Sequence, residues 1–113
     1  MAAAKYNLVI DQGSDFVRTL DVAEDDGTAT NLTGYSARAQ IRKSKSSESV
    51  SASFTCTIPS PTAGRIVMEL AAATSAALDS GRYYYDLEIF TSGDGNVTRL
   101  LQGEITLTQE VTR

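Results

Sequence analysis

The sequence predicts an all-β fold, an antiparallel immunoglobulin-like β-sandwich of about seven strands, with a small β-barrel as the alternative. Three observations predict it. Apolar and polar residues alternate with a period of two through most long stretches, turn signals rich in Gly, Asp and Pro separate those stretches, and no helices alternate with them to cover a parallel sheet. Alternation reports which face of a strand is buried and not how the sheet closes, so the barrel stays open. The 113 residues read as one domain over 1–113, because a chain this short does not divide into two units with useful cores.

Taken in order, Lys5 to Asp11 places Tyr6, Leu8 and Ile10 on one face, and Gln12-Gly13 separates it from Ser14 to Val22, with Phe16, Leu20 and Val22 inward. Asp25-Asp26-Gly27 marks a tight turn, since Gly accepts positive φ and Asp tolerates it. Tyr35 to Lys43 is the cleanest strand, alternating Tyr35, Ala37, Ala39 and Ile41 with Ser36, Arg38, Gln40 and Arg42. The Ser-rich stretch Ser44 to Ser53 reads as a mobile surface loop. Phe54, Cys56 and Ile58 line a strand that Pro59 and Pro61 are expected to end, because proline supplies no ladder donor. Ala63-Gly64 turns the chain into Arg65 to Leu70, with Ile66, Met68 and Leu70 inward.

Ala71 to Leu78 is the single helix-favouring segment, too short to be stable without packing. Arg82 to Phe90 sends Tyr83, Tyr85, Leu87 and Ile89 inward, and Ser92-Gly93-Asp94-Gly95 closes a hairpin to a strand from Val97 to Thr108. In that last strand Leu101, Ile105 and Leu107 share a face with Gly103, whose missing side chain implies a bulge or a close neighbour.

Composition narrows the chemistry. Ten basic against fourteen acidic residues give a net charge of −4, which lacks the positive excess that nucleic-acid phosphates require. Arg38, Arg42, Lys43 and Lys45 sit close together, but serines interleave them and no aromatic accompanies them, so a solvated strand end accounts for them better than a phosphate site. The lone Cys56 has no partner for a disulfide, metal or redox pair. With no His, neither the commonest general base nor a Ser-His or Cys-His nucleophile is available, and no enzyme is expected. Asp25, Asp26, Asp79, Asp94 and Glu104 are explained as turn and strand-surface residues rather than a catalytic pair, and neither Asp25-Asp26-Gly27 nor Asp94-Gly95-Asn96 has the spacing of a calcium loop. No metal and no cofactor is implied. Nothing approaches the roughly 20 apolar residues of a membrane span, and the opening Met-Ala-Ala-Ala-Lys-Tyr lacks the pattern of an export signal, so no membrane association is expected.

Leu78-Asp79-Ser80-Gly81-Arg82-Tyr83-Tyr84-Tyr85 resembles the Asp-x-Gly-x-Tyr-x-Cys entry to the sixth strand of immunoglobulin-type domains, with Tyr85 in place of the cysteine. That likeness implies a tyrosine corner made by Asp79, Gly81 and Tyr83, in which the Tyr83 hydroxyl bonds nearby backbone. The plain alternative is three aromatics in a strand. The missing cysteine pair and the absence of Trp leave only the sandwich architecture.

The whole chain also resembles small virion proteins of contractile-tailed cyanophages and immunoglobulin-like domains of phage baseplate proteins. The likeness is carried by Lys5 to Gly13, Asn31 to Tyr35 with Ala39 to Arg42, Gly81 to Glu88, and Thr98 to Thr108. It implies a non-enzymatic building block of the virion, in the tail, the baseplate or on the capsid surface, assembled in the host cytoplasm, with other virion proteins and its own copies as partners. Alternation leaves Tyr84, Phe90 and Leu100 opposite the core, and large apolar residues on a solvent face mark a protein interface unless the domain's own loops cover them. The alternative from another class is a carbohydrate-binding module for host-surface glycan using exposed aromatics such as Tyr84, although the sequence alone gathers no concave patch of aromatics with Asn, Asp or Arg.

Overall fold

A computed structural model describes residues Ala4 to Thr112, with Asp94 described in its backbone only. The first three residues of the opening segment weighed as an export signal, and the Asp94 side chain weighed as an oxygen ligand, lie outside the described residues. Eight strands appear: β1 (Ala4–Lys5), β2 (Leu8–Asp11), β3 (Phe16–Asp21), β4 (Ser36–Arg42), β5 (Ala52–Ser60), β6 (Arg65–Leu70), β7 (Gly81–Phe90) and β8 (Val97–Thr108). A short helix, α1 (Ala72–Ala76), joins β6 to β7. No helix among the described residues is long and apolar enough to cross a membrane.

The fold is all-β. The strands follow the order β1-β8-β7-β4-β5-β6-β3, with β2 beside β1 on the same edge of β8, and the sheet curls into a half-barrel. β5 divides its length between two neighbours. Ala52 to Phe54 pair with β4, whereas Thr55 to Ser60 pair with β6. β2 runs parallel to β8 through Leu8↔Ile105 and Ile10↔Leu107, while the other main ladders are antiparallel.

The inward phases of the strands meet in one core. Leu8, Ile10, Ile41, Ile66, Met68, Leu87, Ile105 and Leu107 are almost completely buried, and Leu32 joins them from the loop before β4. Loop residues also seal the ends. The buried Ser75 of α1 accepts from the Gly13 amide at 2.9 Å and donates to the Ser14 carbonyl, tying the β2–β3 turn to the helix.

Two local expectations, for Tyr6 and for the end of β5, differ from the structure. Tyr6 is 42% exposed rather than inward, because the chain breaks between β1 and β2, where the Asn7 side chain accepts from the Glu104 amide at 3.0 Å. β5 continues through Pro59 to Ser60, because its register with β6 shifts there and the missing donor interrupts no regular ladder. Of the two readings of Gly103, the close neighbour holds: a Cβ on it would collide with the Tyr6 carbonyl oxygen. The bulge of β8 lies nearer its start, between the pairs Leu87↔Leu101 and Glu88↔Arg99, so Leu100 is the extra residue.

Candidate functional site

That bulge overturns the outward placement of Leu100. From Leu101 onward the inward residues of β8 are odd-numbered, but one inserted residue reverses the parity, and Thr98 and Leu100 turn in while Val97 and Arg99 turn out. Leu100 is 6% exposed and belongs to the core. It leaves the set that Tyr84 and Phe90 were expected to form, and Val97, 45% exposed, takes the outward place opposite Phe90.

The outward phases of β4, β7 and β8 build a regular lattice. Strand pairing aligns Arg42, Tyr84 and Glu104 in one row, Gln40, Asp86 and Gln102 in the next, then Arg38, Glu88 and Arg99, and finally Ser36, Phe90 and Val97. Rows repeat at roughly 6.8 Å along the strands and columns at about 4.8 Å across them. The first three rows, with Lys5 and Lys45 at the margin, line an open groove of about 640 Å³.

Charge pairs fix the lattice side chains. Arg38 donates through Nε to Glu88 at 2.9 Å, Arg99 stands 3.3 Å from Asp86 and donates to Gln102 at 3.2 Å, and Arg82 lies 3.8 Å from Glu104. Arg42 donates to the Gln40 side chain and to the Ser47 carbonyl, which anchors part of the Ser-rich loop over the edge of the groove. The aromatic rings are capped by cations rather than left as a bare apolar patch: the Arg38 guanidinium lies 4.3 Å from the Phe90 ring centre and Lys45 Nζ 5.8 Å from that of Tyr84. Partial burial pushes the Asp86 carboxyl above the ordinary range, with Arg99 pulling the other way.

Tyr83 lies on the opposite face of β7. Its ring is buried, its hydroxyl donates to the Asp79 carbonyl at 2.6 Å, and Lys43 Nζ stands 4.5 Å from the ring centre. Asp79 contributes backbone only to this bond. Gly81 begins the strand at φ +139°, a region that strains any residue with a side chain. A second buried tyrosine bond escaped the sequence reading: Tyr85 donates to the Tyr6 carbonyl at 2.6 Å, and burial pushes its own hydroxyl pKa to about 12. The signal was present, since a tyrosine at a core position needs a partner for its hydroxyl.

Elsewhere, burial raises the Cys56 thiol pKa to about 11, which keeps it protonated and unreactive at neutral pH. Among the described residues no group of three or more Cys, Asp or Glu side chains is arranged to hold a metal ion.

No protein-family model and no curated protein sequence matches this chain. Among solved structures it is similar to InlP of Listeria monocytogenes, with a TM-score of 0.49 and 14% identity over 94% of this chain and 28% of that one. CopC from Methylosinus trichosporium is similar at TM-score 0.48 and 10% identity, over 97% of this chain and 91% of that chain. A family 123 glycoside hydrolase from Clostridium perfringens gives a TM-score of 0.43 and 9% identity, over 97% of this chain and 24% of the hydrolase. The chain therefore spans under a third of the length of InlP and of the hydrolase.

Proposed function

We propose that this chain is a non-enzymatic building block of a phage virion, in the tail or baseplate or on the capsid surface, that packs against neighbouring virion proteins and its own copies. In this reading the fold is an immunoglobulin-like sandwich. Support comes from β5, which changes partner from β4 to β6 along its length, and from the Tyr83 bond to Asp79 before β7. A closed barrel requires β1 or β2 to pair with β3, and no such ladder occurs among the described residues.

The observation that carries the packing role is where exposed apolar residues fall. Val9 on β2 is 63% exposed, Val17 on β3 is 59% exposed, and Tyr6 beside β2 is 42% exposed, so the two edge strands carry the largest apolar exposures within any strand. Contact there is face to face and not strand to strand. Arg18 occupies the inward phase of β3 and donates to the Tyr6 hydroxyl at 2.8 Å, and a charge turned inward on an edge strand opposes addition of another strand. An apolar contact of this kind depends weakly on salt.

Incorporation into particles, or oligomer size by sedimentation, tests this reading. The variant Val9→Glu with Val17→Glu is expected to lose association while Tyr84→Ser retains it. Normal assembly of the double variant together with failure of Tyr84→Ser would place the contact on the lattice face and refute the choice of surface.

A further inference from the structure

We propose that the outward lattice of β4, β7 and β8 is a binding site for an anionic carbohydrate, a chain of uronic or similarly charged sugars. This surface is distinct from the β2 and β3 faces, and the inference does not rest on the packing role.

The first step is charge. Lys5, Arg38, Arg42, Lys45 and Arg99 line the groove against Asp86, Glu88 and Glu104, a surplus of two positive charges on a chain whose net charge is −4. Arg38 and Arg99 are already engaged by lattice carboxylates, whereas Lys5, Arg42 and Lys45 have no carboxylate within ion-pair distance among the described residues. Lys5 and Lys45 therefore remain to meet a negative ligand, while Arg42 is held by the Gln40 side chain and the Ser47 carbonyl and acts on Asp86.

The second step separates a sugar from an acidic peptide. Protein interfaces exclude charge from their centres and place apolar side chains there. Here the order is reversed: Asp86 occupies the centre between Gln40 and Gln102, and the aromatic rings lie towards the two ends of the β7 column. A peptide rich in Asp and Glu would set carboxylates against Asp86, Glu88 and Glu104 while supplying few hydroxyl donors. A uronic chain brings both kinds of group. Its hydroxyls donate to the lattice carboxylates and accept from the Gln amides, and its carboxylates reach Lys45 and Lys5. At the end nearest those cations, the half-buried Tyr84 ring holds Lys45 5.8 Å from its centre, so the ring positions a cation at the groove instead of presenting a bare face. The lattice is about 10 Å wide and roughly 14 Å long from Tyr84 to Glu88, an extended shape that suits an oligosaccharide.

The test is titration of the isotope-labelled full chain, followed by amide chemical shifts, with a panel of galacturonate, alginate and sulfated oligosaccharides. Controls are the methyl-esterified galacturonate, which has the same rings without charge, and a hexaglutamate peptide. The proposal expects shifts confined to β4, β7, β8 and the adjoining loops, binding weakened by about tenfold or more on esterification, and a similar loss for Tyr84→Ala and for Lys5→Gln with Lys45→Gln. Because these side chains lie on the outer face of the sheet, the variants should keep a cooperative melt and the dispersed amide spectrum of the parent, which separates lost binding from lost fold. Absence of binding across the panel, shifts on another surface, or hexaglutamate binding as tightly as the best sugar would overturn it.

Discussion

Leu100→Ala and Val97→Ala are two truncations three residues apart on one strand, and the bulge of β8 exchanges which of the two points inward. Leu100 is 6% exposed within the core, so alanine removes three buried carbons worth about 0.8 kcal/mol each and leaves a void that raises the total to about 3 kcal/mol. For a two-state domain of 113 residues, an unfolding entropy near 2.1 cal/mol/K per residue converts each kcal/mol into about 4 °C of melting temperature, so Leu100→Ala should lower it by about 12 °C. Val97 is 45% exposed, and its truncation should stay within about 0.5 kcal/mol, or roughly 2 °C. Differential scanning calorimetry of both variants and the parent measures these shifts. If Val97→Ala costs as much as Leu100→Ala, or if Leu100→Ala is silent, the parity of β8 is not reversed and Leu100 returns to the outer face.

Three other outcomes follow from the same contacts. Tyr83→Phe removes only a hydroxyl but leaves the Asp79 carbonyl unpaired, and should cost about 1–3 kcal/mol by urea denaturation; an unchanged midpoint would show that the bond contributes nothing. Gly103→Ala drives a methyl group into the Tyr6 carbonyl, so it should loosen β1 and β2 and speed hydrogen exchange at Leu8 to Asp11 more than at β4; equal exchange rates would show that the approach is not tight. Burial raises the hydroxyl pKa of Tyr83, and that of Tyr85 to about 12, above the ordinary value of 10. The protonated form is therefore favoured by folding, and its contribution is complete below pH 10 and lost as pH rises towards 12. Denaturation midpoints should be level from neutral pH to about 10 and fall beyond it, with a shallower fall in Tyr85→Phe; an equally steep fall in that variant would assign the loss to other groups.

How much was legible depended on how local the cause was. Alternation over Tyr35 to Lys43 and Arg82 to Phe90 located β4 and β7 because each strand keeps one inward face throughout, and the Asp79 to Tyr83 contact spans only four residues. Leu100 was misplaced because a bulge changes parity without leaving a Gly or Pro to mark it. Tyr6 was misplaced because its exposure comes from an Asn7 bond to Glu104, ninety-seven residues away. The lattice was hidden for a related reason. Each of β4, β7 and β8 shows polar outward residues, but only their register brings Gln40, Asp86 and Gln102 into one row. Its cation-capped rings likewise correct the picture of Tyr84 and Phe90 as an apolar patch.

The parallel pairing of β2 with β8 bears on how the molecule carries tension. The second strand of the chain and the last one lie side by side in the same direction, joined from Leu8↔Ile105 to Asp11↔Thr108. A force drawing the two ends apart slides one strand along the other, so the hydrogen bonds of this ladder are loaded together. Across the β7–β8 hairpin, force applied at its open end would part the bonds one at a time. Single-molecule extension should therefore record a higher rupture force through the chain ends than through handles at Gly81 and Thr108, and equal forces would exclude the β2–β8 ladder as the mechanical clamp.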